Sequence, residues 1–247
     1  MDNPEPRSTP TFVLVHGSNG GGWVWQKLAP LLRSAGHAVY TPTLTGLSDR
    51  SHLLHCGVNL TTHITDIANL LLYQDLSEVV LVGNSYAGMV STGVATKVPE
   101  RLKLLVYLDA YLPADGQSEF DLLPAEMRAA REAEAAAHEG VVQPPPPAIF
   151  GVKDPVLAEW IKARSTPHPL ATYTEPVPAG NAESATLPRV FIRCIGNPAT
   201  TPDLFAPSAE KARAAGWHVH ELAAGHLAML TAPREVAELL LKLTERG

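Results

Sequence analysis

Val79-Val80-Leu81-Val82-Gly83-Asn84-Ser85-Tyr86-Ala87-Gly88-Met89-Val90 is an apolar run that meets a turn of small residues and then a helical pattern. Four consecutive apolar residues read as a buried strand, and a serine in the turn that follows has the strand–turn–helix context of a nucleophile elbow. Such a turn is sharp, so the Ser85 hydroxyl projects from the strand end instead of packing into the sheet. The neighbours stay small because the helix backbone crosses close to the strand. The usual Gly-x-Ser-x-Gly spacing is met with Ala87 in the last place and Gly88 after it. A plain strand-to-helix loop with a capping serine would use the same residue types, so the rest of the chain has to decide.

Working outward, apolar runs alternate with helical patterns. Residues 11–15 read as a strand, followed by the glycine-rich loop His16-Gly17-Ser18-Asn19-Gly20-Gly21-Gly22 and a helix over 23–35 that ends at Gly36. A short strand at 37–40 leads into a loop over 41–59. Leu60, Ile64, Ile67 and Leu71 then recur at helix spacing over 60–73. The elbow strand takes 78–82, its helix 86–97 and the next strand 102–108. This alternation implies an α/β fold, a mostly parallel sheet flanked by helices.

The pattern breaks between 110 and 187. That stretch offers a charged, alanine-rich helix over 124–139, the run Pro144-Pro145-Pro146-Pro147 and a second helix over 155–164, but no core strand. So long an interruption reads as a helical cap or lid insertion. The alternation resumes with a strand at 189–195, a helix at 207–215, a strand at 217–222 and a terminal helix from Pro233. The expected organisation is a core of residues 1–109 and 188–247 carrying a cap of residues 110–187.

Composition narrows the function. With 247 residues, 45% hydrophobic and 18% charged, the chain can bury one substantial core. A net charge of −6 without a basic stripe argues against a nucleic-acid partner. Residues 1–10 lack the apolar stretch of a signal peptide, and no run is long enough to span a bilayer, so a cytoplasmic location without membrane association is expected. Cys56 and Cys194 belong to no metal or redox motif, and nothing completes a ligand set around His52 and His55. Neither a metal nor a cofactor is expected. Oligomeric state is not legible.

A serine hydroxyl is a poor nucleophile near neutral pH and needs a base within reach. His226, in Ala224-Gly225-His226-Leu227, follows the last strand and precedes the last helix. In an open parallel sheet that places it at the carboxyl edge with Ser85. His218 and His220 alternate on a strand and read as structural or exposed. His16 reads as fixing the loop after the first strand. The anion formed in acyl transfer needs two N–H donors; the backbone amide of Tyr86 and one from the glycine-rich loop, at Ser18, are the candidates. That loop lacks the Gly-Lys-Ser/Thr ending of a phosphate-binding P-loop.

His16-Gly17-Ser18 with Trp23-Val24-Trp25, the segment Gly83-Asn84-Ser85-Tyr86-Ala87-Gly88, and Gly225-His226-Leu227-Ala228-Met229-Leu230 together resemble the α/β-hydrolase superfamily. Within it they resemble the small esterases related to plant methylesterases and hydroxynitrile lyases. The resemblance implies a triad acid, and two positions compete. The superfamily usually draws it from the loop after the penultimate strand, where Asn197 stands without an acid and Asp203 comes several residues late. Other members draw it from the end of the strand after the nucleophile, where Asp109 stands. Asp109 is the expected acid and Asp203 the alternative.

The expected activity is serine-dependent cleavage of a carboxylic ester or lactone of a small, largely apolar substrate. No arginine or lysine stands out as a carboxylate clamp, so an uncharged substrate is expected. A cyanohydrin C–C lyase is one alternative, but the resembling lyases carry a lysine and a threonine where this chain has Leu227 and Gly17. A non-catalytic small-molecule receptor on the same scaffold is the other.

Overall fold

The structure, a computed structural model, describes residues 9–196 and 203–245. Most of the opening polar stretch and residues 197–202, where the resemblance seeks an acid, lie outside the described residues. The first half alternates as expected: β1 (Thr11–Val15), α1 (Ala29–Ser34), β2 (Val39–Tyr40), α2 (Leu60–Tyr73), β3 (Val79–Ser85), α3 (Ala87–Lys97) and β4 (Leu102–Ala110). The insertion carries α4 (Ala125–Ala137), β5 (Val141–Val142), α5 (Pro155–Lys162), β6 (His168–Pro169), α6 (Ala171–Thr174) and α7 (Ala182–Thr186). The core resumes with β7 (Arg189–Cys194), α8 (Ala206–Ala214), β8 (His218–Leu222), α9 (Ala228–Thr231) and α10 (Pro233–Glu245).

Six strands form one parallel sheet in the order β2-β1-β3-β4-β7-β8. β3 lies between β1 and β4, buried on both faces, which is why it is a continuous apolar run instead of an alternating one. Val79 and Leu81 face the cluster that includes Ile64 and Ile67 of α2 and Val90 and Val94 of α3. Val80 and Val82 face the opposite cluster, with Leu32 of α1 and Val236 and Leu240 of α10. Asn59 caps α2 by accepting from Thr62 N at 3.0 Å, and Thr62 Oγ1 accepts from Asn59 N in return, so that helix begins at the first residue of its apolar stripe.

Two expectations are corrected. The helix over 23–35 is broken into a 3₁₀ turn (Gly22–Trp25) and α1, because Pro30 has no N–H to donate and fits only the first turn of a new helix. The loop over 41–59 contains a 3₁₀ segment, Ser48–Leu53. The insertion contributes no strand to the main sheet, but β5 and β6 pair antiparallel within it, a feature too short to read from periodicity. Among the described residues no helix is long and apolar enough to cross a membrane.

Candidate active site

Ser85 sits at the end of β3 with φ +58, a left-handed conformation that costs a side-chain-bearing residue of order 1–3 kcal/mol. The surroundings hold it there. Tyr111 N donates to Ser85 O at 3.1 Å, and the Asn84 amide donates to Leu108 O at 2.9 Å. The small neighbours have separate reasons. A Cβ on Gly83 would stand 2.6 Å from Ala87 O, one on Gly17 would stand 2.8 Å from Ser85 Cβ, and one on Gly88 would overlap the Tyr111 carbonyl oxygen. Glycine is therefore required at 88, where α3 crosses β4.

Asp109 lies near the end of β4, also at positive φ (+45) and buried. Its Oδ2 stands 2.7 Å from His226 Nδ1, and its Oδ1 accepts from Cys194 N at 3.1 Å. Because the carboxylate accepts, Nδ1 carries the ring proton and Nε2 is left as the acceptor. The imidazole is further fixed by stacking on Phe205 (centroids 4.7 Å apart, planes 6° apart) and on Phe150 of the insertion (5.3 Å, 30°). Ser85, Asp109, His226 and Ser18 all border one cavity of about 290 Å³. Such a wall can supply a hydroxyl, an oriented imidazole and a carboxylate to one bound molecule.

Asp203, the alternative acid, is engaged elsewhere. Its Oδ2 accepts from Arg193 Nη2 at 2.6 Å, and its Oδ1 accepts from Phe205 N and Ala206 N at the start of α8. Burial pushes its carboxyl up, but Arg193 and the two backbone amides outweigh that and hold it below the usual range. It borders the cavity, and among the described residues the carboxylate bonded to His226 is that of Asp109.

His16 fixes the loop after β1 as expected, and His63, not singled out in the sequence, is buried beside it. His16 accepts from Leu44 N at Nε2 and donates from Nδ1 to Gly17 O, tying the loop after β1 to the one after β2. Burial pulls its pKa down to about 4. His63 donates from Nε2 to Thr45 O and accepts the Tyr86 hydroxyl at Nδ1 (both 2.9 Å), and burial likewise lowers it to about 4. His218 is exposed on β8, and Cys56 and Cys194 are free thiols.

Three residues escaped sequence reading. Asn19, at φ +61, donates from Nδ2 to Val142 O and Thr166 O and from its backbone N–H to His168 Nδ1, which fastens the glycine-rich loop to the insertion. Arg131 of α4 and Glu119 border the cavity as an ion pair, Nη1 to Oε1 2.6 Å, with the guanidinium 4.4 Å above the Tyr173 ring. An arginine therefore does face the site, contrary to expectation, but it arrives neutralised. Met127, Arg131 and Glu134, all bordering the cavity, are spaced on one face of α4, and that spacing is a legible signal.

Comparison with known proteins bears on the family and the fold. A model of the alpha/beta hydrolase family matches residues 12–239. A carbendazim hydrolyzing esterase of Nocardioides sp. is 39% identical over 241 residues, covering 94% of this chain and 98% of that protein. Methylesterase 10 of Arabidopsis thaliana is 28% identical over 261 residues, covering 95% of this chain and 92% of that protein. Among solved structures, an extracellular alpha/beta-hydrolase from a Paenibacillus species superposes with a TM-score of 0.82 at 26% identity, covering 94% and 98% of the two chains. By its sequence, its sheet and its strained strand-end serine, this chain belongs to the alpha/beta hydrolase family.

Proposed function

We propose that the chain is a serine carboxylic ester hydrolase working through an acyl-enzyme. The observation that carries this reading is the shared cavity: a serine held at φ +58 and an imidazole oriented by a buried carboxylate 2.7 Å away border the same space. Ser85 Oγ attacks the ester carbonyl while His226 Nε2 takes its proton. Asp109 keeps the Nδ1 proton in place and stabilises the imidazolium. The backbone amides of Ser18 and Tyr86 receive the oxyanion, each donor contributing about 2.7–4 kcal/mol to the transition state. The imidazolium then protonates the departing alcohol, and water, activated by the same ring, releases the acid.

The segment 110–187 acts as the cap over this site. Through Val24, Val142, Ile161 and Phe150 the cavity favours a small, largely apolar, uncharged ester. The relative named for carbendazim hydrolysis makes a methyl carbamate ester a reasonable first substrate. A cyanohydrin lyase fits less well, because Gly17 meets Ser85 Cβ so closely that a threonine there would require the elbow to shift.

The test is hydrolysis of p-nitrophenyl acetate and of carbendazim by the wild type and by Ser85→Ala. Turnover lost in the variant, with a phosphonate titrating one site per chain, supports the reading. Turnover that survives Ser85→Ala, or saturable binding without product release by the wild type, overturns it.

A further inference from the structure

Glu119 is fully buried, yet only one of its carboxylate oxygens is satisfied. Oε1 holds Arg131 Nη1 at 2.6 Å, while Oε2 has no hydrogen-bond partner among the described residues. The residue is fixed in place. It lies in a turn closed by Ser118 Oγ donating to Asp121 Oδ2 at 2.7 Å, and its partner guanidinium is stacked on Tyr173, which is stacked in turn on His168 at 4.6 Å. A buried acceptor left unmatched is costly, and such atoms need a reason. Glu119 is among the residues that border the cavity lined also by Ser85 and His226, so a molecule bound there is the candidate partner.

We infer that Glu119 is a specificity-determining residue whose Oε2 accepts a hydrogen bond from an N–H or O–H group on the ester substrate. The inference deepens the esterase reading and rests on it. Arg131 favours the ionised form of this buried carboxylate, and it is thereby spent as a clamp for anionic substrates. The site accordingly favours neutral esters bearing a donor over both carboxylate-bearing esters and purely apolar ones. A charge-assisted hydrogen bond of this kind gives a preference of about tenfold or more.

The test uses three matched pairs of methyl arylacetates in which the donor is replaced without added bulk. The pairs are benzimidazol-2-yl against benzoxazol-2-yl, indol-3-yl against benzofuran-3-yl, and 4-hydroxyphenyl against 4-fluorophenyl. Binding is measured by calorimetry at pH 8 to the Ser85→Ala protein, so no turnover is required. At least one donor member is expected to bind about tenfold tighter than its partner. In Ser85→Ala/Glu119→Gln the amide oxygen stays on Arg131 and its NH₂ faces the cavity, so that preference is expected to vanish or reverse. A difference below about twofold in every pair, no saturable binding by any of them, or a preference unchanged in the folded Gln variant overturns the inference. The first measurement needs no change at Glu119, so misfolding of that variant leaves it decisive. A donor preference in a protein that hydrolyses no ester would sink the esterase reading alone.

Discussion

The buried histidines set how this fold should respond to acid. His16 and His63 are neutral inside the protein, with pKa values lowered to about 4 from 6.5 by burial. The unfolded chain takes up both protons as pH falls through 6.5, whereas the folded chain does not until about pH 4. Their contribution is therefore fully present above pH 6.5 and drains away between 6.5 and 4, where the unfolded state binds more protons. At pH 5 each ring has cost about 2 kcal/mol, so the pair removes about 4 kcal/mol from a stability that is typically about 5–15. His168, lowered further by burial, acts in the same direction. Glu119, whose carboxyl burial pushes up, opposes them. Urea unfolding at pH 7.5, 6.5, 5.5 and 5.0 should give a limiting slope of about 1.4 kcal/mol per pH unit for each buried histidine. His63→Gln should flatten the curve by about one proton whatever it does to stability at pH 7.5. A flat profile between pH 7.5 and 5, or a slope unchanged by His63→Gln, would refute the assignment of these rings as neutral and buried.

Other outcomes follow from the site. Asp109→Asn should lower kcat about 10⁴-fold with an unchanged circular dichroism spectrum, because the Nδ1 proton loses its acceptor. Asp203→Asn should change turnover by less than about tenfold, and its loss of charge at Arg193 and the α8 start should cost about 1 kcal/mol in urea unfolding. Ser85→Gly should abolish ester hydrolysis while raising stability by about 1 kcal/mol, since glycine adopts φ +58 without strain. Gly88→Ala should destabilise by about 3 kcal/mol, read by thermal or urea unfolding, because the new methyl overlaps the Tyr111 carbonyl.

What could be read in the chain beforehand, and what could not, divides along one physical line. That Ser85, Asp109 and His226 would border one cavity was legible because each sits at or just after a strand end, and a parallel sheet gathers its strand ends at one edge whatever the loops do. The choice between Asp109 and Asp203 was not settled by that rule, since both follow strands near His226. Which carboxylate meets His226 rests on contacts with no sequence signature: Arg193 reaches Asp203, and Cys194 N donates to Asp109. The cavity wall facing the sheet edge is harder still. Glu119, Arg131, Tyr173 and Asn19 come from four separate segments, and their meeting depends on how short helices pack across proline-rich turns, where no period of 2 or 3.6 constrains the chain. Yet α4 shows what a closer reading of charge could recover. Arg131 lies between Met127 and Glu134 on the face that borders the cavity, so it is a cation on the face a helix would bury. A half-buried cation there calls for a carboxylate, and the fully buried Glu119 supplies it. On the proposed reading the sheet sets where the ester is cleaved, while the helices of 110–187 select, through their few paired charges, what is brought there.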